Sequence, residues 1–270
     1  MRRLIERFFI KILKLLKVDL LAHAHIQLGV GHNTYFSGEA YIVTTIVPDL
    51  LQGEPKVIFD VGANIGEYAS FLRKNYKQST IHCFEPIAKT FKTLEERSKT
   101  DYFICNHFGL SDKAERANLY IASKDDDASM ATAYPASIND IFTFVGNTSA
   151  GTECNFVTLD EYCETNHINQ IDFLKIDVEG HELSVLKGAK KMLNKQAISI
   201  IQFEFNEFNI TSKSFMIDFY KILPNYKLHR IMPNNRLLPL GEYNSKHEIF
   251  RYQNILAIKN SEISKATVDI

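Results

Sequence analysis

From residue 56 onwards, short apolar runs of β type alternate with segments of helical period, and this alternation most restricts the folds open to the chain. KVIFDV (56–61) reads as a buried strand, and GEYASFLRKNY after it as a helix with Tyr68, Phe71 and Leu72 turned inward. STIHCFE (79–85) reads as a second strand, followed by the helical IAKTFKTLEERSK, and DYFICNHF reads as a third strand. Later in the chain IDFLKIDV, the helical HELSVLKGAKKML and AISIIQFEF repeat the pattern. Strands separated by helical crossovers pair in parallel, with helices on both faces of an open sheet. KSFMIDFYKIL, YKLHRIM and YQNILAIK then read as helix, strand and strand. The long polar loop between the last two predicts an antiparallel hairpin at the end of an otherwise parallel sheet. Between 113 and 156 the pattern weakens, with AERANLYIA compatible with an extra strand and SKDDDASMATAYP with a loop. No repeat interrupts the series, so residues 51–270 are expected to form one α/β domain behind an extension of residues 1–50.

That extension begins MRRLIERFFIKILKLLKVDLL. Ile5, Phe8, Phe9, Ile12, Leu15 and Leu16 recur at helical spacing, while Arg3, Arg7, Lys11, Lys14 and Lys17 crowd another face. The lysines interrupt the apolar run, which is too short and too charged to span a bilayer. Two readings of this basic amphipathic helix stay open. In one it packs on the body of the protein or on a second copy in a homodimer; in the other it makes peripheral contact with an anionic membrane face. The expected location is cytoplasmic, with the inner membrane face as the second reading's site. Cys83, Cys105, Cys154 and Cys163 lack CxxC spacing and read as reduced structural thiols. With 31 basic against 32 acidic side chains the net charge is −1, which offers no general attraction to nucleic acid.

In an open sheet of this type, ligands bind beyond the carboxyl ends of the strands. VIFDVGANIGEY places a carboxylate, Asp60, and two glycines, Gly62 and Gly66, at such an end. Glycines there let the backbone turn and approach a ligand without a Cβ in the way. Glu85 ends the next strand, where a carboxylate accepts both hydroxyls of a ribose. A nucleoside cofactor follows from this pairing. A dinucleotide calls for G-x-G-x-x-G, but Ala63 and Asn64 stand where the middle glycine belongs. An acidic residue before the first glycine also opposes a pyrophosphate and suits a cation. S-adenosylmethionine carries a sulfonium, an ammonium and a ribose, and no phosphate. It is the expected cofactor, and a nicotinamide-dependent oxidoreductase is the weaker enzyme alternative.

FDVGANIGEYA, CFEP, NHFGLSD, VTLDEY, IDFLKIDVEGHELSVLKGA and IIQFEFN, in that order, resemble the FkbM family of S-adenosylmethionine-dependent methyltransferases over about residues 56–206. The resemblance implies a Rossmann-like class I methyltransferase with a seven-stranded sheet, one strand of it antiparallel. It also implies methyl transfer to a hydroxyl of a small molecule, a glycan or a glycolipid. By position it assigns Asp60, Gly62, Ala63, Asn64 and Gly66 to the loop on the methionine side of the cofactor and Glu85 to the ribose. Leu110, Ser111 and Asp112 fall where the adenine is lined.

In LKIDVEGHE, an extended chain projects Lys175, Asp177 and Glu179 to one side. Asp177 is the first choice for shaping the methyl-transfer site, and Glu179 for the acceptor. His181 is a candidate base because its ordinary pKa lies near neutrality, and Glu204 is a candidate for acceptor hydroxyls. The competing readings are structural: Lys175 with Asp177 as an ion pair, and Glu179 as a carboxylate at a helix N-terminus. No metal is expected, since the HEL at 181–183 lacks the second histidine of HExxH and no other histidine pair has zinc spacing. A third reading is a catalytically silent, membrane-docked protein that keeps the cofactor fold.

Overall fold

The structure, a computed structural model, describes residues 10, 13, 19–31, 38–121, 131–134 and 151–267. The apolar runs form strands β1 (Val57–Val61), β2 (Thr80–Phe84) and β3 (Ile104–Asn106). They continue as β4 (Gly109–Ser111), β5 (Glu115–Ile121), β6 (Ala131–Thr132) and β7 (Thr152–Thr158). The series ends with β8 (Ile171–Ile176), β9 (Ile198–Phe205), β10 (Tyr226–Met232), β11 (Arg236–Pro239) and β12 (Gln253–Lys259).

The main sheet has the order β11-β10-β12-β9-β8-β1-β2-β3. Strands β9, β8, β1, β2 and β3 run parallel, β12 is antiparallel to both β9 and β10, and β11 is antiparallel to β10. The β10–β12 pairing agrees with the expected hairpin. Among the described residues the expected seven strands with one reversed become eight with two reversed, because β11 forms within the stretch expected as polar loop. Its turn is short: Met232 pairs with Arg236 across Pro233, Asn234 and Asn235. Both asparagines have positive φ, 67° and 55°, the left-handed conformation that Asn tolerates in tight hairpins. A second sheet, β4-β7-β5-β6, is built from the stretch where the sequence pattern weakened.

Alternation along the strands supplies both faces of the sheet. Phe59, Val61, Leu174 and Ile176 pack on one side with Leu159, Tyr162, Leu186, Met216 and Phe219 from the helices there. Ile58, Phe173 and Ile200 pack on the other with Ala69, Leu72 and Leu94. Every residue of β9 is buried, as expected of a strand covered on both faces. The second face also takes in residues from before position 51. Ile42, Val43, Ile46, Val47 and Leu50 are fully buried there, on a helical stretch comprising Glu39–Tyr41, the π-helical Ile42–Ile46 and Val47–Leu51. Residues 39–51 are therefore part of the domain core.

The proposed amphipathic helix lies, apart from Ile10 and Leu13, outside the described residues. A helix at Leu20–Gln27 follows, its first turn capped by Asp19 Oδ1, which accepts from the Leu21 and Ala22 amides at 3.0 and 2.9 Å. Among the described residues no helix is long and apolar enough to cross a membrane. The four cysteines are all free.

Candidate active site

The carboxyl ends of β1, β2 and β8 open onto a cleft of about 690 Å³, its open mouth included. Beyond β1 the backbone turns at Gly62, whose amide, like that of Ala63, donates to the Phe84 carbonyl at 3.0 Å. Gly62 has φ 81°, and a Cβ there would lie 1.9 Å from the Asp177 carbonyl oxygen. The glycine is thus required first by the crossing of two chain segments, not only by approach to a ligand. Left-handed strain of about 1–2 kcal/mol adds to that overlap in any larger residue. Gly62→Val is expected to lower the melting temperature in the absence of any ligand; an unchanged melt would show that the crossing tolerates a side chain. Gly66, at φ 82°, starts the helix Glu67–Asn75, and a Cβ there would press on Leu94 at 2.7 Å. Ala63 is buried in the core, so of this turn Gly62 and Asn64 line the cleft.

Glu85 stands at the end of β2 with both carboxyl oxygens held. Oε1 accepts the Ile87 amide at 2.8 Å and Oε2 the Asn64 amide at 3.1 Å. Burial pushes its pKa up to about 7, with the two amides partly opposing the rise. Each oxygen keeps a further lone pair for a ligand donor. Beside it the wall is apolar, formed by Phe84, Ile87, Leu110, Leu119 and Phe156. Gly109 lies flat under Phe156, where a Cβ would come within 2.4 Å of the ring. Leu110 lines this part of the cleft. Ser111 and Asp112 do not: Ser111 is buried against His181, and Asp112 is exposed.

Across β1 from Glu85, beyond the end of β8, the lining is acidic. Asp177 and Glu179 line the cleft, and the Lys175 ammonium sits 3.0 Å from Asp177 Oδ2 and 3.7 Å from Asp60 Oδ1. The same ammonium lies 4.6 Å from the Tyr68 ring centroid. Burial lowers the Lys175 pKa, but attraction to Asp177, Asp60 and Glu39 outweighs it and the net direction is up. Asp60 is wholly buried on the face of β1 opposite Val61, behind Lys175 and not on the cleft wall. Neither of its oxygens has a hydrogen-bond partner, and burial pushes its pKa up to about 6 against the pull of Lys175.

Glu179 has φ 50°, a left-handed conformation that costs a non-glycine residue roughly 1–3 kcal/mol and often marks a functional position. Its Oε2 accepts from Asn206 Nδ2 at 3.2 Å, and Asn206 also donates to Glu204 Oε1. Burial, then Asp177 and Glu182, holds its pKa well above the carboxylate range. Glu179 does not cap the helix Glu182–Lys187, which has no side-chain cap; Glu182 Oε1 instead accepts the Val178 and Gly180 amides of the preceding turn at 3.2 and 3.1 Å. His181 reaches the cleft with both ring nitrogens engaged, Nε2 with Ser111 Oγ at 2.9 Å and Nδ1 with Tyr134 Oη at 3.1 Å. Burial lowers its pKa, so the ring is a neutral tie between β4 and the 131–134 segment. That segment also bonds Thr132 Oγ1 to the Glu179 carbonyl at 2.9 Å. It is the described part of the stretch expected as a loop, and Ala131 lines the cleft.

Three polar residues joined the site without having been foreseen. Glu39 Oε1 accepts from Gln202 Nε2 at 2.7 Å, and Gln202 Oε1 accepts from Tyr68 Oη at 3.4 Å. Asn206 is the third. A buried glutamine inside IIQFEF was the available signal for Gln202; Glu39 carried none. Among the described residues no group of three His, Cys, Asp or Glu is placed to hold a metal ion.

The chain resembles several characterised proteins. It is 30% identical to the hexuronic acid methyltransferase AglP of Haloferax volcanii over 55% of this chain and 56% of that one. It is 26% identical to the 2-O-methyltransferase NoeI of Sinorhizobium fredii over 55% of this chain and 63% of that one. The match thus spans less than two thirds of the length of either relative. Among solved structures, the plantazolicin methyltransferase BpumL in complex with SAH aligns over 83% of both chains at 10% identity and a TM-score of 0.46. The Methyltransferase FkbM domain matches residues 60–230, from the first turn's carboxylate through the acidic end of the cleft to β10. That span holds more than half of the chain and nearly all of the cleft, and the protein belongs to the FkbM methyltransferase domain family.

Proposed function

We propose that the protein transfers a methyl group from S-adenosylmethionine to a hydroxyl of a sugar, free or within a glycan or glycolipid. The observation that carries the donor is the division of one cleft into an apolar slot beside Glu85 and an acidic end at Asp177 and Glu179. An adenine fits the slot between Ile87, Leu110 and Phe156, and the ribose hydroxyls reach the free lone pairs of Glu85. The sulfonium then lies toward the acidic end. When bound, the donor supplies an electrophilic methyl group. The chain's own residues do the rest: they align the acceptor oxygen with that methyl and receive its proton. Alignment alone contributes up to about 7–11 kcal/mol in favourable intramolecular cases. A sugar acceptor is supported by the two relatives, a hexuronic acid methyltransferase and a 2-O-methyltransferase.

S-adenosylmethionine and S-adenosylhomocysteine are expected to stabilise the folded chain, by about 2.7 kcal/mol at a hundredfold excess over Kd. NAD and NADP are not. Glu85→Ala is expected to weaken both adenosyl ligands by removing the ribose acceptor. Thermal denaturation with each ligand tests this, and stabilisation by NADP alone would sink the reading. Transfer of a labelled methyl group to neutral and acidic sugars then tests the acceptor class.

A further inference from the structure

The acidic end of the cleft carries more carboxyl groups than its neighbours balance. Asp177, Glu182 and Glu207 repel a charge on Glu179, and Asp177, Glu179 and Glu182 repel one on Glu204, which in turn acts on Tyr252. Among the described residues, the cation that meets this group is Lys175, already divided between Asp177 and Asp60, with Glu39 also acting on it. Asn206 joins Glu179 to Glu204 through a single amide nitrogen. Its orientation is set, because its Oδ1 accepts the Phe208 amide at 2.8 Å and the NH₂ must therefore face the carboxyls. Asn206 orders the pair but brings no charge. Asp60, fully buried behind Lys175 with neither oxygen hydrogen-bonded, draws on the same ammonium and leaves less of its charge for the cleft.

We propose that the missing positive charge is that of the bound donor, so that loading S-adenosylmethionine drives a proton off the Glu179–Glu204 pair and makes Glu179 a charged base only while a methyl group is present. The inference rests on the donor reading above. In the free protein, burial and the neighbouring carboxylates favour the protonated form of both groups, which share one Asn206 nitrogen, so the pair is the place from which a proton would leave. A cation within about 4–6 Å opposes both causes. During transfer, a lone pair of the acceptor oxygen forms the new O–C bond, the C–S bond breaks with its electron pair left on sulfur, and the hydroxyl proton passes to Glu179. One positive and one negative charge disappear together. The product thioether is left beside a carboxyl pair that is neutral again, with no ionic attraction holding it.

Linkage gives the sign. Affinity for S-adenosylmethionine rises with pH, by at most about tenfold per unit for one proton, and levels off above the raised pKa. Affinity for S-adenosylhomocysteine, which lacks the sulfonium, changes little. Calorimetric titration of the full chain with each ligand, near neutral pH and in buffers of different ionisation enthalpy, reads the released proton directly. The expected result is release of a large fraction of one proton by the sulfonium ligand, little by the thioether, and a smaller release in Glu204→Gln with affinity for the thioether retained. The comparison of the two ligands on the unaltered protein stands even where the variant does not fold. Equal proton release by both ligands, or a pH-independent affinity for S-adenosylmethionine, overturns the proposal while leaving the donor reading intact. Failure of both ligands to bind overturns the donor reading and this inference with it.

Discussion

Glu179→Gln is expected to reduce turnover by roughly 10²–10⁴-fold, the usual contribution of a positioned general base. The substitution keeps the side chain's size and one of its acceptors, so the contact from Asn206 Nδ2 survives. What it removes, under the proposed function, is the carboxylate that would take a proton from the acceptor hydroxyl. Because Glu85 and the apolar slot lie at the other end of the cleft, affinity for S-adenosylhomocysteine is expected to stay near that of the unaltered protein. Asp177→Asn should differ. Asp177 pairs directly with Lys175, so its loss disturbs donor binding and turnover together. Single-turnover rates and ligand affinities separate the two variants. Full activity in Glu179→Gln would remove carboxylate chemistry from this site and leave alignment as the source of acceleration.

Lys175→Met is expected to destabilise the fold by about 3–5 kcal/mol at neutral pH, the range for breaking a buried ion pair by deleting one partner. Lys175 and Asp60 are 6% and 0% exposed, so water does not replace the lost ammonium at Asp60. The effect has a defined pH dependence. The folded-state pKa of Asp60 is raised, from an ordinary 3.8 to about 6, so its neutral form contributes stability that is present below about 3.8 and lost as pH rises through about 6. Without Lys175 that pKa moves higher still, and the deficit of the variant grows from acid toward neutral pH. Pairing Lys175→Met with Asp60→Asn should recover much of the loss, since the uncompensated charge is gone. Urea denaturation at acid and neutral pH measures both effects. A deficit that is the same at every pH and persists in the double variant would mean that Lys175 acts through packing and not through charge.

Both variants concern carboxylates whose positions were readable in the sequence and whose partners were not. The strand IDFLKIDV and the turn DVGANIG were legible because apolar periodicity and glycines are local signals. The pleat assigned Lys175 and Asp177 to one side correctly, and the structure finds them 3.0 Å apart. The same alternation turns Asp60 away from Val61 and off the cleft wall, a consequence that matching the glycine turn by position overlooked. The second sheet was missed as such because β4 and β6 are three and two residues long, too short for a period-two pattern to register. β11 is hidden for another reason: Pro233, Asn234 and Asn235 sit within a long polar stretch, and only the positive φ of the two asparagines makes a hairpin turn of them.

By itself the sequence determined the α/β class, the strands of the main sheet other than β11 in their order along the chain, the turn that opens the cleft and the carboxylates on its two sides. These follow from interactions among residues close in sequence: apolar repeats of period two or 3.6, glycines at a strand end, a carboxylate at the end of the next strand. Only the tertiary structure decided what those groups meet. Glu39 comes from a helix that precedes the first strand, Gln202 and Asn206 from β9 and just past it, and Thr132 and Tyr134 from beyond β5. Their convergence on Lys175, Asp177, Glu179 and His181 depends on strand order, β9-β8-β1-β2, and on burial. Burial in turn sets the charge of each carboxyl, since removal from water and the nearness of other charges are properties of the packed molecule and of no segment alone.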